Sequence, residues 1–404
     1  MAGLFTALLL RRAGWDVAVY ERNGLDLAGR GAGIVTHPEL FEVLERAGVD
    51  VDAEIGVRVP GRRVLDRRGD IAGEFPLDQI LTSWGRLYGL LRAALPTADY
   101  HHGKNLVRVK ETAGEVRAHF DDGASASGDL LIGADGLFSA VRAQFDPQVR
   151  PSYVGYVAWR GLVEEAELSL QTRAAIGNHF AFSLPPGEQM LGYPVAGANE
   201  SLEPGRRRFN FVWYRPAEEH GRLAELLTDV DDFRHDLSIP PHKIRPPVLD
   251  AMRQDADRLL APPFAEVVRR TQQPFLQAIL DLEAPRMRVG ERSVILGDAA
   301  FVARPHVGMG VTKAAGDAAA LVDAIERHPR DLGAALRRFE AERLPFGAAV
   351  IRRARQLGAY MQAQVLTDEE RRLAERHRHP EAVMAETAVA TGIGAQPDHD
   401  EWSD

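Results

Sequence analysis

The sequence predicts an α/β fold in two parts. One is a βαβ-type domain whose pieces are separated along the chain; the other is an antiparallel-sheet domain inserted between them. Three observations predict it. The opening stretch, MAGLFTALLLRRAGWDVAVYE, reads as a helix, a glycine stop, a short buried strand and an acidic residue at the strand's end. Two later stretches, DLLIGADGLFSAVRAQF (129–145) and RSVILGDAAF (292–301), repeat a buried strand that ends in a turn of glycine and aspartate. Between them, after residue 150, come short apolar strands separated by glycine, proline and charged turns.

The elements follow in order. Leu4 to Ala13 has helical character, and Gly14 supplies the left-handed stop. DVAVYE (16–21) is a strand, GRGAGIV (29–35) a glycine-rich loop, and HPELFEVLERAGV a helix with Pro38 in its first turn. SWGRLYGLLRAALP is a helix stopped by Pro96, and residues 105–120 alternate like two paired strands. YVGYVAWRGLV, NHFAFSL, QMLGYPVA and RRFNFVWYR are the strands of the inserted sheet. The proline-rich run from Ser238 to Asp250 reads as a loop or linker, and a long helical region covers about 311–377. The expected division is 1–150 plus 285–345 for the first domain and 151–284 for the sheet domain. A helical region at 346–380 and a loosely attached tail at 381–404 follow.

Composition narrows the function. With 45% hydrophobic and 26% charged residues, the chain is globular rather than disordered. A net charge of −9 argues against nucleic acid or an anionic membrane as partner. There is no cysteine, which excludes disulfides, thiolate zinc sites and cysteine nucleophiles and fits a cytoplasmic location. No stretch approaches the ~18 apolar residues of a membrane span, and LFTALLL lacks the preceding basic region of a signal peptide. The histidines show no metal-ligand spacing, and RHRHP, ending at Pro380, is expected to be solvated. No GxSxG elbow is present.

Three motifs carry chemistry. Gly3 and Glu21 stand eighteen positions apart, which suits a helix against a pyrophosphate and a carboxylate accepting from ribose hydroxyls. Asp135-Gly136 lie at the carboxyl end of a strand, where open α/β sheets bind ligands, and Ser139 and Arg142 begin the helix that follows. The strongest motif is VILGDAAFVARPHVGMGVTKAAGDAAAL (294–321). Gly297-Asp298 end a strand, then Pro305, Gly308 and Gly310 shape a loop that opens a helix near Val311. Unpaired N–H groups and the positive dipole end make that helix start a site for negative charge. Asp317 within the helix either packs under the loop or is solvated. In RRFNFVWYR, alternation puts Asn210, Val212 and Tyr214 on one face and Phe209, Phe211 and Trp213 on the other. Arg160 is a candidate to pair with a carboxylate beneath the sheet.

This ordered set resembles the FAD-dependent aromatic-ring hydroxylases, the single-component flavoprotein monooxygenases, over roughly residues 1–350. YVGYVAWRGLVEE, FNFVWYR and GDAAFVARPHVGMGVTKAA look like the members that hydroxylate 2,6-dihydroxypyridine-type rings. The resemblance implies FAD lying on Gly3 and Glu21, with Arg30 and Arg86 approaching its pyrophosphate and ribityl chain. Asp298 would hold the ribityl chain, and Gly308, Gly310, Val311 and Thr312 the flavin ring. Asp135 belongs to the motif tied to FAD and NAD(P)H. It also implies NAD(P)H as reductant, oxygen transfer from a flavin C4a-hydroperoxide to a small aromatic or hydroxypyridine substrate, and a homodimer. His306 and Tyr214 are the candidate catalytic residues: a base for the ring hydroxyl and a hydrogen-bonding partner for it. In this family a strand and a glycine-rich turn come before the position of Gly3, so the expectation is that the first strand of the βαβ unit is missing from the chain as written. Two other readings stay open: a reductase or epoxidase of the same fold, and a flavin-binding protein without activity.

Overall fold

A computed structural model describes residues 1–25, 27, 33–51, 55–361 and 367–390. The first helix runs Ala2–Arg12, followed by Gly14 at φ 87°. Leu4, Phe5, Leu8, Leu9 and Leu10 are all buried, so this helix is a core element rather than an amphipathic cover. Burying each of these side chains is worth about 1.5–3 kcal/mol. They pack with the helices Gly310–Arg327 and Leu332–Gly358 in one core.

Around that core lie two pairs of parallel strands. Val19–Tyr20 pairs with Tyr100–His101, and Ser293–Ile295 with Leu131–Gly133. Among the described residues no strand joins the two pairs. The predicted strand pair at 105–120 is present as Leu106–Glu111 against Val116–Phe120, extended by Ser125–Gly128.

The second body is a ten-stranded sheet. Its centre is Ser152–Glu164, Arg208–Pro216, Gln189–Val195 and Phe180–Ser183, the four strands expected from the sequence. It extends further than residues 151–284. Phe180–Ser183 pairs in parallel with Val57–Leu65, which continues to Ile71–Ser83 and Gly33–Val35. The inserted sheet thus recruits three strands from the first third of the chain.

The sheet's two faces divide as the alternation predicts. Phe209, Phe211 and Trp213 join Trp159 beneath the helices Pro246–Leu259 and Pro262–Arg270. Tyr156, Val212 and Tyr214 line the opposite face, against Val383, Met384 and Ala388. Three expectations are corrected. The run 238–250 is not a plain linker: a helix starts at Pro246, because proline is tolerated in a first turn, where its missing N–H has no partner to lose. Residues 381–388 do not hang loose: Pro380–Glu386 is a helix whose Val383 and Met384 are buried. His377 is buried rather than solvated, its Nε2 3.1 Å from Glu386 Oε2. Residues 391–404 lie outside the described part of the chain. No described helix is long and apolar enough to cross a membrane.

Candidate active site

The strand Ser293–Ile295 delivers Gly297 and Asp298 to its carboxyl end. Gly297 has φ 62°, and a Cβ there would stand 2.8 Å from that of Ala2. Only glycine lets the turn close onto the first helix. Gly3 is not in a turn: it lies inside that helix, and a Cβ added to it would meet Ala134 at 3.4 Å. This is the close helix–strand packing a nucleotide fold needs there. Asp298 is exposed, and the Met1 amino group acts electrostatically on both it and Glu21. The turn that carries Asp298 packs on the first helix through Gly297 and Ala2, one residue from Gly3. Glu21 also accepts from the backbone N–H of Asn23 at 2.9 Å.

Asp317 is 1% exposed and packs under the turn. It accepts from Gly297 N–H at 3.0 Å and from Arg343 Nε at 2.8 Å, with Lys313 Nζ at 3.7 Å. Lys313 Nζ is buried with no hydrogen-bond partner among the described residues. Asp135 stands apart: exposed, it accepts from Val141 N–H at 3.1 Å and so caps the helix Ala140–Phe145.

Pro305–Val307 form one 3-10 turn, and Gly308 follows at φ 66°. A Cβ on Gly308 would lie 2.6 Å from that of Ala388, so the loop and residue 388 are in direct contact. The helix Gly310–Arg327 starts from Met309, which offers no side-chain cap. Among the described residues no side chain caps the first-turn N–H groups of Gly310, Val311 and Thr312, and a Cβ on Gly310 would meet nothing within 4 Å. Thr312 Oγ1 lies 2.9 Å from His37 Nδ1. An open, uncapped helix start beside a carboxylate at a strand end fits FAD: N–H donors for the flavin's electron-rich edge, Asp298 for its hydroxyls.

His306 reaches from this loop into the sheet face and is 1% exposed. Its Nε2 is 2.9 Å from Tyr156 Oη and its Nδ1 3.2 Å from Gln189 Oε1. The pairing fits the tautomer with the proton on Nδ1, donating to Gln189 and accepting from Tyr156. The Tyr214 ring meets the imidazole edge-on at 4.2 Å. Burial, then Arg304, holds the imidazole well below the usual histidine range, so it is neutral. Burial pushes the Tyr214 phenol up to about 12, with the Arg160 guanidinium opposing. The two predicted catalytic residues are thus in contact. Tyr156 and Gln189 complete their cluster and were missed, although both stand in alternating strands where the facing positions could be read.

Arg86 Nη1 donates to Glu200 Oε2 at 2.8 Å. Arg160 departs from expectation. Among the described residues no carboxylate pairs with it; its neighbours are Tyr193, Tyr214 and His306. Arg30 lies outside the described residues.

The buried histidine has a consequence for stability. A histidine whose folded pKa is depressed takes up its proton more readily in the unfolded chain, so stability falls as pH drops below about 6.5. His37 is lowered as well, chiefly by burial. The thermal midpoint should therefore fall between about pH 7 and pH 5.5, and His306→Gln should reduce that slope. An unchanged slope in the variant would remove His306 from the account.

Comparison with known proteins places this geometry. A family model described as FAD binding domain-like matches residues 153–281. The chain is 33% identical over 363 residues to 2,6-dihydroxypyridine 3-monooxygenase of Paenarthrobacter nicotinovorans, covering 90% of this chain and 89% of that protein. The chain belongs to the FAD-dependent monooxygenases. The solved structure of 2,6-dihydroxypyridine-3-hydroxylase from Arthrobacter nicotinovorans superposes with a TM-score of 0.83 at 33% identity, over 89% of this chain and 90% of that one. A Klebsiella pneumoniae flavoprotein complexed with FAD and uric acid superposes with a TM-score of 0.74 at 26% identity, over 95% and 90%. This monooxygenase is thus an FAD enzyme of the aromatic-hydroxylase type, with the α/β fold the sequence predicts.

Proposed function

We propose that this monooxygenase hydroxylates an electron-rich N-heteroaromatic ring of the 2,6-dihydroxypyridine type, with NAD(P)H as reductant and O2 as oxygen donor. The observation that carries it is the meeting of His306, Tyr156 and Tyr214 on the sheet face beside the uncapped helix start. When bound, FAD supplies the redox chemistry: one oxygen atom of O2 enters the ring, the other leaves as water, and NAD(P)H provides two electrons. The chain's residues supply binding and proton handling. Gly3 and Glu21 hold the ADP half, with Arg30 and Arg86 as its cations; Asp135 serves the shared FAD and NAD(P)H motif. Asp298 binds ribityl hydroxyls, and Gly308 to Thr312 hold the ring system.

Tyr214 bonds a ring hydroxyl. Tyr156, whose Oη lies 2.9 Å from His306 Nε2, would relay that hydroxyl's proton to the imidazole, and a more electron-rich ring is the better nucleophile. The buried face excludes water from the reaction. Purified enzyme loaded with FAD should consume NAD(P)H faster when a dihydroxypyridine is added, and mass spectrometry should find the ring one oxygen atom heavier. If no electron-rich ring gains oxygen, the proposal fails.

A further inference from the structure

The far end of the sheet holds a cavity that the candidate active site does not use. Its volume is about 320 Å³, and Glu165, Leu170, Arg173, Asn178, Pro204 and Arg207 stand in its lining. Arg207 directly precedes the strand Arg208–Pro216, and Tyr214 lies near that strand's other end. At about 3.3 Å per residue, cavity and Tyr214 are roughly 23 Å apart. Most of the polar lining is already engaged. Glu165 and Arg207 form an ion pair in which each side chain is 5% exposed. Glu165 Oε2 accepts from Arg207 Nε and Gly205 N–H, both at 2.9 Å, and Oε1 from Arg207 Nη2 at 2.8 Å. Burial pushes this carboxyl up, but the bonds from Arg207 and Gly205 outweigh it and hold it below the usual range. Glu165 is therefore ionised and offsets Arg207. Asn178 Oδ1 accepts from Arg207 Nη2 at 2.9 Å, so its amide has only donors left to offer. Arg206 and Glu203 face each other at 3.4 Å and cancel. The cation left over is Arg173. Among the described residues its side chain makes no hydrogen bond or ion pair, and its Nε is buried without a partner. A Cβ on Gly205 would lie 3.9 Å from Arg173 Nη1, so the guanidinium reaches the Pro204–Gly205 turn. Leu170, 77% exposed, adds apolar surface beside it.

The cavity thus presents one uncompensated positive charge, spare donors and an apolar lip, while its one lining carboxylate is spent on Arg207. A guanidinium fork matches a carboxylate with two parallel N–H···O bonds, and an Nε already stripped of water gains most from such a partner. The volume falls in the range of small-molecule sites, about 300–1,000 Å³. Covering an exposed leucine with an apolar group is favourable as well. We propose that this cavity is a second ligand site, separate from the flavin site, and that it binds a small carboxylate with an apolar body, such as an aromatic carboxylic acid. The carboxylate meets Arg173 and the Asn178 amide, and the body lies against Leu170 and Pro204. The site does not depend on the hydroxylase reading, since none of its residues belongs to the cluster around His306.

Titration calorimetry on the full-length, FAD-loaded enzyme tests it with benzoate and with benzamide, which has the same shape and no charge. Benzoate should bind, and benzamide should bind at least tenfold more weakly. Arg173→Gln should weaken benzoate roughly 10- to 100-fold, the range for a hydrogen bond to a charged group, and leave benzamide unchanged. Arg173→Lys keeps the charge without the fork and should recover part of the loss. Leu170→Ser, on the surface, tests the same site independently and should weaken benzoate several-fold. The flavin absorbance spectrum of each variant without benzoate should match wild type, because neither side chain supports the fold or the flavin site. Benzoate that binds Arg173→Gln as tightly as wild type sits elsewhere, and that result overturns the proposal. So does equal affinity for benzoate and benzamide, or no benzoate binding at millimolar concentration. If Arg173→Gln loses FAD, Leu170→Ser decides: undiminished benzoate affinity in that variant overturns the site.

Discussion

Asp317→Ala is expected to cost about 3–5 kcal/mol of stability, the usual penalty for leaving buried partners of an ion pair uncompensated, and to release FAD. Asp317 holds together three things that meet nowhere else: the Gly297 N–H, the Arg343 guanidinium and the Lys313 ammonium. Lys313 is 1% exposed, and among the described residues its Nζ has no hydrogen-bond partner to fall back on. Without the carboxylate, two cations stay buried on the helix pair that carries the first core. The turn that aims Asp298 loses its anchor at the same time. Asp317→Asn keeps an acceptor for Gly297 but not the charge, so it should fall between wild type and alanine. Denaturant unfolding and the fraction of protein retaining yellow FAD measure both effects. An alanine variant within about 1 kcal/mol of wild type would show the cluster to be solvated or repaired by neighbours.

Asp317 also marks the limit of what the sequence shows. Its position in a helix below the Gly297-Asp298 turn is readable; which of its two possible surroundings it takes is not, because burial depends on the partner helix. Local patterns survive folding best. Buried apolar runs ending in glycine and aspartate became strand ends, and period-two alternation in 208–216 put Tyr214 on one face with Val212, as the structure has them. Non-local pairing left no trace. Nothing in Val57–Leu65 announces that it will lie parallel to Phe180–Ser183, so the sheet looked smaller than it is. Composition misled at Pro246, where two prolines read as linker yet start a helix. Arg160 was expected to meet a carboxylate, and among the described residues none pairs with it. An arginine in a strand suggests a carboxylate, whereas here the guanidinium stands against the Tyr214 phenol.

Residue 388 had no sequence signal at all, and the second large expected effect concerns what holds it. Arg62→Met should lower stability by about 2–3 kcal/mol, in the range for buried hydrogen-bonding groups left unpaired, and free residues 384–388 from the sheet. Arg62 is 1% exposed and has no carboxylate partner among the described residues. Its Nη1 donates to the carbonyls of Met384 and Thr387, both at 2.6 Å, and Nη2 to that of Ala388 at 3.3 Å. Gln79 Oε1 takes Nε at 3.0 Å and Nη2 at 2.7 Å. Burial without a counter-charge pushes the guanidinium down to about 9. Such a cation is costly, and what it secures is specific. Ala388, in the left-handed region at φ 52°, donates its N–H to His306 O at 2.7 Å and packs on Gly308. The segment therefore backs the loop that carries His306. In Arg62→Met, hydrogen exchange at 384–388 should rise to solvent-like rates while the first helix stays protected. With the loop loosened, NAD(P)H consumption should exceed ring hydroxylation, because water reaches the site. Arg62→Lys, which keeps the charge but not the fork of donors, should restore only part of the protection. Full protection of 384–388 in Arg62→Met would mean that Val383 and Met384, through burial alone, hold the segment in place.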